Sequence, residues 1–105
     1  MRSLELMTPR EAYAAYILGS VLVDVREPAE FRRKTVDVSS VVNLPLSELD
    51  KRYEELPENK QVVLVSNIGL KSKEAARFLI ARGFEQVAAM DGGIHAWEEE
   101  GLPLR

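Results

Sequence analysis

The residues with the plainest chemical potential sit together in Ser66-Asn67-Ile68-Gly69-Leu70-Lys71-Ser72. They follow the apolar run Gln61-Val62-Val63-Leu64-Val65 and precede an alanine-bearing stretch with helical spacing. A strand that feeds a short glycine-containing loop and then a helix is a ready anion cradle. Successive backbone N–H groups can turn inward there, and the helix adds its positive end. Lys71 would bring a cationic side chain to the end of that loop. The G-x-x-x-x-G-K spacing of a nucleotide-binding P-loop is missing, so a plain strand–helix connection stands as the alternative. Ser66 could act as a nucleophile only with a base in reach. The single histidine, His95, falls on the predicted last helix, and no G-x-S-x-G is present. The expected role of the Ser66 hydroxyl is therefore to cap loop amides.

Whole-chain properties narrow the chemistry further. A length of 105 residues suits one domain spanning 1–105, since single cores take roughly 100–150 residues. The hydrophobic fraction of 46% can build an ordinary core. A net charge of −3, with Lys and Arg scattered, disfavours nucleic acid as a partner. No apolar run approaches the ~20 residues of a membrane span. The N-terminus lacks a signal-peptide pattern, so the expected location is the cytoplasm. There is no cysteine. That excludes disulfides, thiolate zinc sites, iron–sulfur ligation and any thiol chemistry. With one histidine and no carboxylates at ligand spacing, neither a metal nor another cofactor is expected.

The elements that must position the loop can be read in order. Thr8-Pro9-Arg10-Glu11 carries a capping box with proline at the first helical position, and Gly19 ends that helix after Leu18. Val21–Val25 reads as a buried strand, Pro28 to Phe31 as a short helix, and Val41–Leu44 as a second strand. Ser47 is expected to cap a helix running to Leu56, with Asp50 in the reciprocal position. Gln61–Val65 is apolar at four successive positions, as in a central strand covered on both faces. A helix from about Ser72 to Arg82 follows, stopped by Gly83. Val87–Met90 is a strand, Asp91-Gly92-Gly93 a turn, and Ile94–Glu100 a last helix containing Trp97. Alternation of strands and helices implies an α/β fold, a mostly parallel central sheet flanked by helices on both faces. Ligands of such sheets bind at the carboxyl ends of the strands, which points at the loop after Val65.

Asp24-Val25-Arg26-Glu27-Pro28-Ala29-Glu30-Phe31 resembles the D-V-R-E-P-x-E-F segment of the rhodanese-like family. Asp91-Gly92-Gly93-Ile94-His95-Ala96-Trp97, followed by Gly101-Leu102-Pro103, resembles that family's C-terminal signature. The resemblance runs from about Leu4 to Pro103 and implies the rhodanese-like fold. Members are sulfurtransferases whose loop commonly reads C-R-x-G-x-R, the cysteine carrying a persulfide from donor to acceptor. Laid on this chain, the cysteine falls on Ser66, the first arginine on Asn67, the glycine on Gly69 and the second arginine on Lys71. The six-residue loop length is that of sulfur-handling members rather than of related phosphatases.

Three departures follow from that overlay. Ser66 offers oxygen where the transfer needs an accessible thiolate. Asn67 removes a cation, and Lys71 keeps charge without the bidentate fork of arginine. Lys34-Thr35-Val36-Asp37-Val38-Ser39-Ser40 stands where the family usually reads G-H-I-P-G-A, at the mouth of the site. Arg26 and Glu27 could bind a ligand near that mouth or form a fold-stabilising ion pair. Trp97 is expected in the core, His95 in solvent, and Gly92 and Gly93 where side chains would clash.

Two functions are compatible with this pattern. The first is a rhodanese-like domain without sulfurtransferase activity, kept as a binding or regulatory module. Its loop, made apolar by Ile68 and Leu70, would meet a small anion or a sulfur-carrier protein. The alternative is an active single-domain thiosulfate or persulfide sulfurtransferase whose cysteine has been replaced by Ser66. Asn67 and Lys71 also depart from the pattern, which a single replacement does not explain. A regulatory domain within a longer polypeptide fits either.

Overall fold

The computed structural model describes residues 4–105. Five strands form one sheet in the order β1-β5-β4-β2-β3, every neighbouring pair parallel. They are β1 (Glu5–Met7), β2 (Val21–Asp24), β3 (Val41–Asn43), β4 (Val62–Val65) and β5 (Val87–Met90). Helices α1 (Pro9–Ile17), α2 (Pro28–Arg33), α3 (Leu49–Arg52), α4 (Leu70–Ala81) and α5 (Gly93–Glu99) connect or follow them.

The sheet is buried on both sides because its strands alternate between two apolar clusters. Val62 and Leu64 of β4 face one cluster with Leu49, Ala75, Ala76 and Leu79, under α3 and α4. Val63 and Val65 face the other with Ala12, Ile94 and Trp97, under α1 and α5. Strand period 2 thus converts a continuous apolar run into two half-cores. Val62–Val65 are all completely buried; burying such a side chain contributes roughly 1.5–3 kcal/mol. β4 is therefore the rigid base from which the loop departs.

The α1 start has the expected capping box. The Glu11 amide donates to Thr8 Oγ1 at 3.1 Å, and the Thr8 amide donates to Glu11 Oε1 at 2.8 Å. Gly19 turns the chain out with φ +113°. Trp97 is fully buried, stacked edge-on against Tyr13, and its indole N–H donates to the Pro103 carbonyl at 2.8 Å.

One strand has no counterpart in the sequence reading, and several local expectations are corrected. β1 is a three-residue edge strand, too short to leave an alternation signal in the sequence. The helix expected from Ser47 to Leu56 is broken into a 3₁₀ turn (Leu46–Glu48), the single turn α3 and a second 3₁₀ turn (Tyr53–Glu55). Ser47 does not cap it, because its hydroxyl donates to the Glu27 carboxylate at 3.0 Å. α4 begins at Leu70, two residues earlier than Ser72, because Gly69 takes φ +97° as the N-cap and lets the next residues enter the helix directly. The segment after α2 is an extended strap. Val36 bridges Leu104 in antiparallel fashion, Thr35 and Arg105 exchange backbone bonds at 2.9 Å, and the Asp37 amide donates to the Pro103 carbonyl.

Candidate functional site

The site is built at the carboxyl end of β4. Ser66 is buried where β4 ends, and Ser72 is buried in the first turn of α4. The Gly69 amide donates to Ser66 Oγ at 3.0 Å, Ser66 Oγ donates to Ser72 Oγ at 3.1 Å, and Ser72 Oγ donates to the Gly69 carbonyl at 3.1 Å. This closed circuit satisfies both hydroxyls, which burial in a low-dielectric site requires.

The Asp91-Gly92-Gly93 turn holds the loop from behind. The Ile94 amide donates to the Ser66 carbonyl at 2.8 Å, and the His95 amide donates to the Asn67 carbonyl at 3.1 Å. A Cβ at position 93 would collide with both of those carbonyl oxygens. A Cβ at Gly69 would lie 2.9 Å from the Gly92 amide nitrogen. Glycine at 69 and 93 is thus what lets the loop and the turn approach to backbone contact.

Asn67 bridges the loop to α2. Its Nδ2 donates to Glu30 Oε2 at 2.9 Å, and its Oδ1 accepts from Arg26 Nη1 at 3.3 Å. Arg26 is buried and its ion-pair partner is Asp24: Nε and Nη2 reach the Asp24 carboxylate at 2.9–3.2 Å. Thr35 Oγ1 adds a further donor to Asp24 at 3.0 Å, and the Lys34 carbonyl accepts from Arg26 Nη2. Glu27 is turned away from Arg26 and takes the Ser47 hydroxyl. The Asn67 amide first, then the Glu27 backbone, Arg26 and Lys71, hold the Glu30 carboxyl below the ordinary carboxylate range against the opposing effect of burial.

Ile68 and Leu70 are 60% and 65% exposed. Together with Ser66, Asn67 and Lys71 they line a depression of about 260 Å³. The structure therefore brings Ser66, Asn67, Ile68, Leu70 and Lys71 to one pocket, with Gly69 and Ser72 beneath it. Arg26 reaches that pocket through Asn67, and Glu27 makes no hydrogen bond to the loop among the described residues. His95 is exposed, with Nε2 3.6 Å from Glu99 Oε1. Sequence reasoning passed over Glu30, Asp24 and Thr35 as site residues. Glu30 and Asp24 lie in the D-V-R-E-P-x-E-F segment, but their roles depend on contacts 37 and 11 positions apart, to Asn67 and Thr35.

Chemically, the site offers a hydroxyl already engaged, a lysine, and two apolar side chains facing solvent. It holds no thiol. No helix of the described residues is long and apolar enough to cross a membrane.

The chain is similar to known proteins in sequence and fold. Residues 8–100 match the family model described as the rhodanese-like domain. The chain is 33% identical over 97 residues to thiosulfate sulfurtransferase GlpE of Pseudomonas syringae, covering 92% of this chain and 90% of the relative. It is also 33% identical over 84 residues to a sulfurtransferase of Allochromatium vinosum, covering 80% and 77%. Its backbone superposes on a rhodanese-related protein of Thermoplasma volcanium with a TM-score of 0.86 at 29% identity, over 96% of this chain and 97% of the other. The span matched by the family model contains the loop after β4, the D-V-R-E-P-x-E-F segment and the double-glycine turn, and the chain belongs to the rhodanese-like domain family.

Proposed function

We propose that this domain works as a binding or regulatory module whose contact surface is the loop Ser66–Ser72, and that it does not transfer sulfur as its sequence stands. One observation carries this reading. At the position where the family resemblance places the persulfide-bearing cysteine stands a hydroxyl with its hydrogen and a lone pair both committed inside the loop. Oxygen forms no exchangeable sulfur–sulfur bond, and a serine nucleophile needs a base to take its proton. The sole imidazole, His95, is exposed on α5 with its Nε2 3.6 Å from Glu99 Oε1, and it makes no hydrogen bond to Ser66 among the described residues. What the loop retains is a recognition surface: an apolar pair, one lysine, and a backbone fixed from behind by the glycine turn. A small anion or a sulfur-carrier protein fits that surface.

The deciding experiment is thiosulfate-to-cyanide sulfur transfer by the chain beside its Ser66→Cys variant. The chain is expected to be silent. Turnover by the variant would show that the sulfur atom is what the site lacks, and turnover by the chain as written would overturn the proposal.

A further inference from the structure

We propose that the loop pocket selects small organic monoanions with an apolar body over inorganic dianions, and that Glu30 sets this preference. The inference deepens the binding-module reading by naming the ligand class of the same site.

Charge around the pocket is nearly cancelled. Lys71 is the one cation lining it among the described residues. Arg26, the nearest other candidate, is committed to Asp24, with side-chain exposures of 5% and 0%. Lys73 lies 3.5 Å from the Asp91 carboxylate. Against Lys71 stands Glu30, drawn to the loop by the 2.9 Å bond from Asn67. The same bond, with Arg26 and Lys71, favours the ionised carboxylate. Asn67 thus does more than omit a cation: it anchors an anion at the mouth.

Shape and polarity complete the preference. The depression of about 260 Å³ is smaller than the ~300–1,000 Å³ clefts that hold drug-sized ligands. Ile68 and Leu70 give it walls that gain from covering an apolar body and offer nothing to a hydrated oxyanion. A monoanion can satisfy Lys71 while its apolar part lies on these side chains. A dianion doubles both the pull of Lys71 and the push of Glu30. With Glu30 in place the two nearly cancel, and the dianion gains no charge advantage to offset the greater water it must shed.

The test is an NMR titration of the ¹⁵N-labelled chain with sodium benzenethiosulfonate and with sodium thiosulfate, at matched low ionic strength. The amides of residues 67–72 are followed. Benzenethiosulfonate is expected to bind about tenfold more tightly than thiosulfate. Glu30→Gln keeps an acceptor for Asn67 but removes the charge. It should tighten thiosulfate by about the square of its effect on benzenethiosulfonate, because Coulomb energy scales with ligand charge. Thiosulfate binding as tight as benzenethiosulfonate, a gap unchanged by Glu30→Gln, or no saturable shift in the loop would each overturn the inference. The titration involves no sulfur transfer. A chain that turned over thiosulfate would sink the binding-module reading while leaving the measured selectivity to stand or fall by itself.

Discussion

Ser66 Oγ and Ser72 Oγ stand 3.1 Å apart, both buried, one closing β4 and the other in the first turn of α4. The pair ties the end of the central strand to the start of the helix it feeds. Because Ser66 also accepts the Gly69 amide, the loop's backbone shape depends on the two hydroxyls together.

That dependence is measurable in urea unfolding. Ser72→Ala removes the acceptor of the Ser66 proton and the donor to the Gly69 carbonyl, and should cost about 1–2 kcal/mol. Ser66→Ala strands the buried Gly69 N–H, at about 1–3 kcal/mol. The double variant should lose clearly less than the sum, since the two share one circuit. Additive losses would show that the hydroxyls act separately.

The turn behind the loop makes a second prediction, in which two glycines are compared. Gly93 has φ +62° and Gly101 has φ +74°, so alanine at either is strained by roughly 1–2 kcal/mol. Only at 93 would the new methyl also strike the Ser66 and Asn67 carbonyls; at 101 it meets open space. Gly93→Ala should therefore lower stability well beyond Gly101→Ala and shift the amide resonances of residues 66–69. Equal destabilisation by the two variants would mean that the loop simply moves aside.

Much of this architecture was legible in the sequence because its signals are local. The four-residue apolar run of β4, the Thr8–Glu11 capping box and the stops at Gly19 and Gly83 each depend on neighbours within one turn. The motif resemblance then fixed the sheet around them. Features set by distant contacts were not legible. Ser47 reads as an N-cap until Glu27, twenty positions away, claims its hydroxyl. Glu27 beside Arg26 invites pairing, but the chain bends at Arg26, whose amide donates to Asp24 Oδ1 at 2.9 Å. Asp24, two positions from Arg26, takes the guanidinium instead. Asn67 read as a lost cation, and its bond to Glu30 required the helix α2 to be in place.

The Asn67–Glu30 bond predicts a pH dependence. Glu30 has a folded pKa below its ordinary value of 4.5, first through the Asn67 hydrogen bond. A depressed carboxylate contributes stability that is present above the unfolded pKa and is lost as pH falls through the folded value. In Asn67→Ala the Glu30 carboxyl should titrate closer to 4.5, as read by carboxyl ¹³C NMR. The stability difference between chain and variant should be constant near neutrality and should shrink as pH drops below 4.5. A Glu30 titration unmoved by the substitution would remove Asn67 as the cause.

The buried Asp24–Arg26 pair carries the largest expected effect. Asp24 accepts from the Arg26 amide, from Arg26 Nε and Nη2, and from Thr35 Oγ1. Asp24→Asn keeps the shape but turns an NH₂ group toward these donors and leaves a buried guanidinium without its counter-charge. Breaking a buried pair from one side typically costs about 3–5 kcal/mol. Glu98→Gln, which breaks the Lys34 pair with side chains 47% and 54% exposed, supplies the contrast, because solvent screens a surface bridge. Its loss should fall within the error of the same denaturation experiment. Asp24→Asn should also loosen the loop, because Arg26 reaches Asn67 from the position that Asp24 fixes. The side-chain NH₂ resonances of Asn67 should then shift and broaden. A stable Asp24→Asn protein with an unperturbed Asn67 would show that the guanidinium is held by the Lys34 carbonyl and its other neighbours, and that the loop does not depend on the ion pair.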